Sequence, residues 1–240
     1  MKNVLITGGD KGIGCAIAEL LARLGYHVII TYKLNIVGSE SLMLQYPNVK
    51  AYQCDMQDKV GIREMANDVL SQYGSIDILI NNAGFENDST VVKMSDDQWE
   101  SVLDVDLRSL FYTTKCFVPT MIEKGWGRII NMSSILGYTG VYGGANYATA
   151  KAGVVGFTKS LALELGGKGI TVNAIAPGLI ETDLLIRMPE KYRERLREKV
   201  PSHQFGKPKD IANLVEFLIS DKASYINGQT IHVNGGMYAI

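Results

Sequence analysis

Residues 4–14 combine an apolar, strand-like run with a cluster of glycines, and they read Val4-Leu5-Ile6-Thr7-Gly8-Gly9-Asp10-Lys11-Gly12-Ile13-Gly14. A helical pattern follows over residues 13–24. Glycine permits the tight turn and the close backbone approach that a pyrophosphate needs, and the N–H groups at a helix start attract its charge. The order strand, glycines, helix therefore predicts a dinucleotide-binding site. Its predicted loop residues are Gly8, Lys11, Gly12, Ile13 and Gly14.

Strand-like and helix-like segments alternate along the rest of the sequence. The predicted strands are 4–7, 27–31, 49–53, 76–80, 128–132, 170–176 and 230–233. The predicted helices are 13–24, 59–72, 96–123, 144–166 and 208–220. This alternation predicts an α/β fold, a Rossmann-type doubly wound parallel sheet of about seven strands flanked by helices, in a single domain over residues 1–240. Ligands of such sheets bind at the carboxyl ends of the strands.

The bulk composition is that of a globular domain, with 46% hydrophobic and 20% charged residues and a net charge of -1. No basic run suggests nucleic-acid binding, and no apolar run has the length of a signal peptide or a membrane span. Cys15, Cys54 and Cys116 are too widely spaced for a metal cluster or a disulfide framework. We therefore expect a cytoplasmic protein with reduced thiols and no metal.

The charges after the second predicted strand indicate which dinucleotide binds. NAD sites of this kind place an acid about 20 residues beyond the glycines, where it holds the ribose 2′-hydroxyl. Here that place holds Tyr32 and Lys33, and the next acid is Glu40. Lys11, in the glycine loop, is a second cation within reach of a 2′-phosphate. Two cations and a missing acid favour NADP(H).

Tyr147 and Lys151 stand four residues apart in a predicted helix that is rich in small residues. This spacing puts both side chains on one face. A nearby ammonium lowers the pKa of a phenol from about 10, so the pair can pass a proton to a carbonyl oxygen. The same spacing separates Tyr46 and Lys50, but Pro47 makes a helix there unfavourable.

Two further features accompany this pair. Ser134 follows the strand 128–132, where its hydroxyl can donate to a substrate carbonyl oxygen; alternatively it is an ordinary turn serine. The charged segment 184–200 contains Pro189 and is followed by Pro201. It is either a mobile substrate flap, taken as 183–201, or a charged surface helix.

Five motifs stand in order along the sequence: Thr7-Gly8-x-x-x-Gly12-Ile13-Gly14, Asn81-Asn82-Ala83-Gly84, Ser134, Tyr147-x-x-x-Lys151 and Pro177-Gly178. Together they resemble the short-chain dehydrogenase/reductase family over essentially the whole chain. The resemblance implies that Tyr147 is the general acid, that Lys151 binds the nicotinamide ribose and tunes Tyr147, and that Ser134 orients the carbonyl. It also implies cofactor contacts from Asp55 at the adenine, from Asn81 at the adenosine ribose, from Ile180 and Thr182 at the carboxamide, and from Ala83, Gly84, Pro177 and Gly178.

Asp106 is a departure from the family pattern, which has an asparagine at the matching position. It falls within the apolar stripe of the helix 96–123 and is therefore expected to be buried. A buried carboxylate needs a partner, and the family arrangement offers Lys151, directly or through water. We hypothesise that Asp106 competes with Tyr147 for the influence of Lys151, so that the phenol pKa falls less. Alternatively, the substitution is tolerated and the main-chain carbonyl does the usual work.

Within the family, the sequence is most similar to the 3-oxoacyl-[acyl-carrier-protein] reductases of fatty-acid biosynthesis, with acetoacetyl-CoA reductases as near relatives. The resemblance implies an acyl substrate on acyl carrier protein or CoA, and commonly a homotetramer packed through the helices 96–123 and 144–166. Lys124 and Lys168 lie near positions where carrier-protein reductases have cations. Reduction of another carbonyl compound, such as a sugar, steroid or small ketone, and a non-catalytic cofactor-binding role remain alternatives.

Overall fold

The computed structural model describes residues 1–34 and 36–239. A parallel seven-stranded sheet runs through it in the order β3-β2-β1-β4-β5-β6-β7. The strands are β1 Asn3–Ile6, β2 His27–Tyr32, β3 Val49–Gln53, β4 Ile78–Asn81, β5 Gly127–Met132, β6 Ile170–Pro177 and β7 Thr230–Val233. All seven predicted strands and the predicted α/β fold are confirmed, because buried parallel strands leave long β-branched runs in a sequence.

The helices lie on both faces of the sheet. They are α1 Gly12–Arg23, α2 Val37–Gln45, α3 Lys59–Tyr73, α4 Asp96–Leu103, α5 Ser109–Lys124, α6 Leu136–Thr139, α7 Ala145–Leu165, α8 Asp183–Ile186, α9 Glu190–Glu198 and α10 Pro208–Ile219. The sequence patterns miss α2, whose apolar residues do not recur on one face; its buried residues are Ser39 and Leu42. Within the described ranges, no helix is long and apolar enough to cross a membrane.

Two apolar cores lie on opposite faces of the sheet, because successive strand residues point to opposite sides. On one face, Val4 and Ile6 pack with the buried side of α1 and α10. On the other face, Leu5 packs with residues of α3, α5 and α7, including the fully buried Phe117. The central strands are therefore buried on both sides, and their carboxyl ends remain as the open edge where side chains can meet a ligand.

The predicted single helix 96–123 is interrupted, which corrects that expectation. Between α4 and α5 lies a π-helical turn, Asp104–Arg108, in which Val105 and Asp106 are buried. A π turn adds a residue to the helical repeat and changes the direction of the side chains that it carries. The apolar stripe runs through this turn, so the sequence pattern predicts a continuous helix.

The charged segment 184–200 forms α9 and part of α8, and it packs on a small separate core. Leu185, Val200 and Phe205 form that core, and Leu196 of α9 packs against it. An isolated bridge between Ile180 and Gly206 joins the residues that precede the segment to those that follow it. The segment therefore lies beside the carboxyl edge of the sheet.

Two leucines on α2 provide a test of the packing. Leu42 is 2% exposed and Leu44 is 86% exposed. We expect Leu42→Ala to lower the free energy of unfolding by about 2–5 kcal/mol through the cavity that it leaves. Leu44→Ala should change it by no more than about 0.5 kcal/mol. Urea denaturation of the two variants checks this, and equal losses would contradict the packing of α2.

Candidate active site

The glycine loop joins β1 to α1 at the carboxyl edge of the sheet. Gly8 and Gly12 have φ angles of 63° and 55°, a left-handed conformation that side chains disfavour. A Cβ on Gly14 would lie 2.2 Å from the carbonyl oxygen of Gly8, so a side chain is excluded there. The result is a cradle of bare backbone at the first turn of α1, which begins at Gly12 and continues through Ile13. This cradle fits the pyrophosphate of a dinucleotide.

The loop after β4 closes against this cradle. The backbone N–H of Ala83 donates to the hydroxyl of Thr7 over 3.0 Å. The amide of Asn82 donates to the carbonyl oxygens of Thr7 at 3.0 Å and Gly8 at 2.9 Å. Sequence reasoning did not single out Asn82, although it belongs to the Asn-Asn-Ala-Gly motif. Its side chain fixes the glycine loop relative to β4.

Asn81, the neighbouring predicted cofactor residue, has its side chain in the core and is 1% exposed. Its amide donates to the hydroxyl of Thr114 over 3.2 Å and to the side-chain oxygen of Asn131 over 2.8 Å. The side chain therefore connects β4 with α5 and β5. Any contact with a nucleotide in this arrangement would come from the backbone at the end of the strand.

The predicted residues at the end of β6 and in the loop that follows it are Pro177, Gly178, Ile180 and Thr182. The methyl group of Thr182 lies 3.5 Å from the place that a Cβ on Gly12 would take. Ile180 is buried and pairs with Gly206. The loop after β6 thus reaches the start of α1 at the glycine loop.

Helix α7 brings Tyr147 and Lys151 to the end of β5. The Lys151 ammonium lies 5.4 Å from the centroid of the Tyr147 ring. It donates to the main-chain oxygen of Met132 over 3.1 Å. The Ser134 hydroxyl lies close enough to the Tyr147 phenol to lower its pKa. The structure therefore brings together the three residues that the motifs predicted.

Asn146 positions the start of α7, and sequence reasoning did not identify this role. It is fully buried, and its amide donates to the carbonyl oxygens of Asn87 and Gln98, both over 3.0 Å. Its side-chain oxygen accepts from the backbone N–H of Tyr147 over 2.8 Å. Asn146 ties Tyr147 to the loop after β4 and to helix α4.

Asp106 is fully buried, and its carboxylate is 2.8 Å from the Lys151 ammonium. Its other oxygen accepts from the backbone N–H of Phe85 over 3.1 Å. A Cβ on Gly84 would lie 2.5 Å from the carboxylate, so the glycine makes room for the pair. The expected pairing of Asp106 with Lys151 is present, and it is direct.

The pKa of Tyr147 is raised overall, whereas the sequence predicted a net fall. Burial is the largest cause, and the carboxylates of Asp106 and Glu86 raise the pKa further. The Lys151 ammonium lowers the pKa, as predicted, and so does the Ser134 hydroxyl, but they do not outweigh the other causes. The sequence shows the lysine beside the phenol, but neither the burial nor the two acids brought in by other segments. Glu86 is a further site residue that sequence reasoning missed.

Lys151 remains the cation of the site. Burial by itself lowers the pKa of Lys151, but Asp106, followed by Tyr147 and Glu86, raises it by more, and the resulting pKa lies above the ordinary value. Burial raises the pKa of Asp106, while the Lys151 ammonium and the Phe85 N–H lower it. With both donors at hydrogen-bond distance, we describe the two residues as an ion pair.

The predicted cations for the adenosine end lie at the same edge of the sheet. Lys33 directly follows β2, and its ammonium is 2.9 Å from the carboxylate of Asp55, which follows β3. Lys11 is exposed in the glycine loop. Within residues 1–34 and 36–239, no three acidic, histidine or cysteine side chains are grouped so as to hold a metal ion. A phenol, a hydroxyl and an ammonium beside a dinucleotide cradle suit proton-coupled hydride transfer.

Comparison with known proteins also indicates an oxidoreductase. Residues 8–238 match the family model described as "Enoyl-(Acyl carrier protein) reductase". The chain belongs to the short-chain dehydrogenase/reductase family of oxidoreductases. Its curated relatives narrow this further, because the similar proteins carry the name 3-oxoacyl-[acyl-carrier-protein] reductase FabG.

Three such relatives span almost the full length of the chain. The Staphylococcus aureus protein is 42% identical over 241 residues, covering 99% of this chain and 98% of the relative. The Staphylococcus epidermidis protein is 42% identical over 241 residues, covering 99% of both. The Rickettsia felis protein is 43% identical over 243 residues, covering 100% of this chain and 98% of the relative.

The effect of the Asp106 charge on the pKa of Tyr147 is tested by Asp106→Asn. Since the Asp106 carboxylate raises the pKa of Tyr147, its removal should lower that pKa. Reduction needs the protonated phenol, so the alkaline limb of the pH–rate profile should move to lower pH. Asp104→Asn is the matched control, because Asp104 lies in the same π turn but pairs with Arg108 over 2.7 Å. Superimposable profiles of wild type and Asp106→Asn would contradict the hypothesis.

Proposed function

We propose that this chain reduces the carbonyl of a 3-oxoacyl thioester, carried on acyl carrier protein or CoA, to the 3-hydroxyacyl form in fatty-acid biosynthesis. The observation that carries the proposal is the meeting of Ser134, Tyr147 and Lys151 beside the glycine cradle. The 42% and 43% identical relatives support the substrate class. Those relatives are named for the same reaction.

NADPH is the proposed reductant, and it supplies the hydride when bound. The cradle at Gly8, Gly12 and Gly14 suits its pyrophosphate, and family reductases use this cofactor. The absence of an acid directly after β2 and the presence of Lys33 and Lys11 favour the 2′-phosphorylated form. We propose contacts from the other predicted cofactor residues as well, with Asn81 contributing through its backbone.

In this proposal Tyr147 donates its proton to the carbonyl oxygen while the carbonyl carbon gains a hydride, so the C=O bond becomes CH–OH. Ser134 donates to the same oxygen and stabilises its developing charge. Lys151 holds the ribose and favours the transient tyrosinate. Asp106 fixes the Lys151 ammonium, since the two lie 2.8 Å apart. Because burial and two carboxylates raise the pKa of Tyr147, the phenol keeps its proton until it is needed.

Reduction of a carbon–carbon double bond is the second candidate, because the matching family model is described as an enoyl reductase. In that reaction the hydride adds to the β carbon, and a proton is finally delivered to carbon rather than oxygen. The Ser134 hydroxyl beside the Tyr147 phenol instead offers two donors to one substrate oxygen, which suits reduction of a carbonyl. Other carbonyl substrates remain possible on this scaffold. NADPH oxidation with 3-oxoacyl, enoyl and simple ketone substrates separates these activities.

The carrier is proposed from the relatives' name rather than from local charge. Lys124 ends α5 at the amino edge of the sheet, and its ammonium pairs with Asp77 over 2.7 Å. Lys168 precedes β6 at that same edge. Within one chain, both cations are therefore remote from Tyr147. They would serve a carrier protein only if an assembled neighbour brought them near another chain's site.

Residues 1–240 form a single reductase domain in this proposal, and residues 183–201 act as a substrate flap. The position of α9 beside the carboxyl edge and its small separate core support a segment that moves as a unit. We also propose a cytoplasmic location, which suits the three free cysteines.

Homotetramer formation is a further part of the proposal. Helix α7 exposes a stripe of mostly small residues, which are Thr149, Ala152, Gly156, Ser160 and Leu163. Small side chains allow close approach of a second helix. Leu163 is 88% exposed, and on α5 Phe111 is 47% exposed. Burying these side chains against a second chain would remove apolar surface from water.

The role of the Tyr147 phenol as the general acid is tested by Tyr147→Phe, which keeps the ring but removes the proton donor. We expect NADPH oxidation with acetoacetyl-CoA to fall by at least about 100-fold, in line with the loss of a general acid. NADPH binding should persist, and it is measured by cofactor fluorescence. Tyr142→Phe is the matched control, because Tyr142 is 92% exposed. Wild-type turnover by Tyr147→Phe would refute the mechanism.

The assembly is tested by Leu163→Glu. We expect wild-type protein to sediment as four chains, and the variant as dimers or monomers because a charge would be buried at the interface. Leu44→Glu is the control, since Leu44 is also exposed, at 86%, but lies on α2. Sedimentation velocity at micromolar concentration distinguishes the species. A wild-type monomer would exclude the proposed tetramer.

A further inference from the structure

A network of side chains links the ends of the neighbouring strands β2 and β3. We call Lys33, Asp55 and Gln57 the Lys33 cluster. The Lys33 ammonium lies 2.9 Å from the Asp55 carboxylate and donates to the side-chain oxygen of Gln57 over 3.1 Å. The backbone N–H of Gln57 donates to the other Asp55 oxygen over 3.0 Å. Each of the three residues therefore contacts the other two, and both Asp55 and Gln57 hold the ammonium.

The backbone of Lys33 is held as well. The amide of Gln53, the last residue of β3, donates to the carbonyl oxygen of Lys33 over 3.1 Å. Lys33 is thus fixed at both its main chain and its ammonium. A lysine on an exposed strand end ordinarily samples many rotamers, and restricting them beforehand lowers the entropic cost of binding an anion.

Stability does not explain the cluster. The side chains of Lys33 and Asp55 are 51% and 39% exposed, so solvent screens their attraction. The contacts instead hold the Lys33 ammonium in a defined position. An ammonium has three N–H donors, and the cluster uses two of them. One donor is left for a ligand at the edge of the sheet where the glycine loop also lies.

We propose that Gln57 is a positioning residue for cofactor selectivity, which holds Lys33 so that its remaining N–H serves the 2′-phosphate of NADPH. The two acceptors in the cluster differ in one respect that decides the role of Gln57. Asp55 attracts the ammonium but repels a phosphate, whereas the neutral amide of Gln57 positions the ammonium without that repulsion. This inference rests on the proposed use of NADPH.

The test compares dissociation constants for NADPH and NADH by fluorescence titration, without any acyl substrate. The proteins are wild type, Gln57→Leu, Lys33→Met and the double variant. Contacts to adenine, pyrophosphate and nicotinamide are common to both cofactors, so the ratio of the two constants isolates the 2′-phosphate. Lys50→Met is the control lysine, because Lys50 lies near the amino end of β3.

We expect Gln57→Leu to reduce the preference for NADPH by about threefold to tenfold and to leave NADH binding unchanged. Lys33→Met should reduce it at least as much, and the double variant should match Lys33→Met, because Gln57 acts through Lys33. Lys50→Met should keep the wild-type ratio.

Three results would overturn the inference. These are a wild-type ratio in Gln57→Leu, an equal loss of NADPH and NADH binding, or a further loss when Gln57→Leu is added to Lys33→Met. Each of them leaves NADPH use by the wild-type protein intact. A wild-type protein that binds NADH as tightly as NADPH would instead contradict the proposed cofactor, and this inference with it.

Discussion

The buried ammonium of Lys151 is the constraint around which the active site is built. An unpaired charge at 3% exposure would be strongly unfavourable, so the surrounding segments must supply partners. The π-helical turn supplies the Asp106 carboxylate at 2.8 Å, and β5 supplies the main-chain oxygen of Met132 at 3.1 Å. Gly84 leaves space for the pair. Three separate segments thus converge on one charge.

This convergence also determines the chemistry of Tyr147. A lone ammonium beside a phenol lowers its pKa, but an ammonium already paired with a carboxylate has much of its field cancelled. Burial then dominates, and the pKa of Tyr147 is raised. The charge of Asp106 therefore acts on the proton donor itself, because it raises the pKa of Tyr147.

The residues that the sequence predicted well and those that it missed differ in a physical way. Strands and the Tyr147–Lys151 spacing follow from local rules, since burial on both faces and the helical repeat each leave a pattern along the chain. Asn82, Glu86 and Asn146 act through contacts with distant segments, which no local pattern records. The π turn is hidden because its buried residues continue the apolar stripe, and α2 because its apolar residues do not recur on one face.

The two ends of the dinucleotide cleft use the same chemical pair with different consequences. At one end Asp106 and Lys151 are buried, so breaking the pair by removing one partner costs about 3–5 kcal/mol and leaves an uncompensated charge. At the other end Asp55 and Lys33 are exposed, and such a pair contributes only about 0–1 kcal/mol to stability. Burial therefore lets the first pair influence the pKa of a neighbouring phenol. Exposure makes the second pair nearly neutral for stability, and in our proposal it holds the Lys33 ammonium in place while the remaining N–H meets the phosphate.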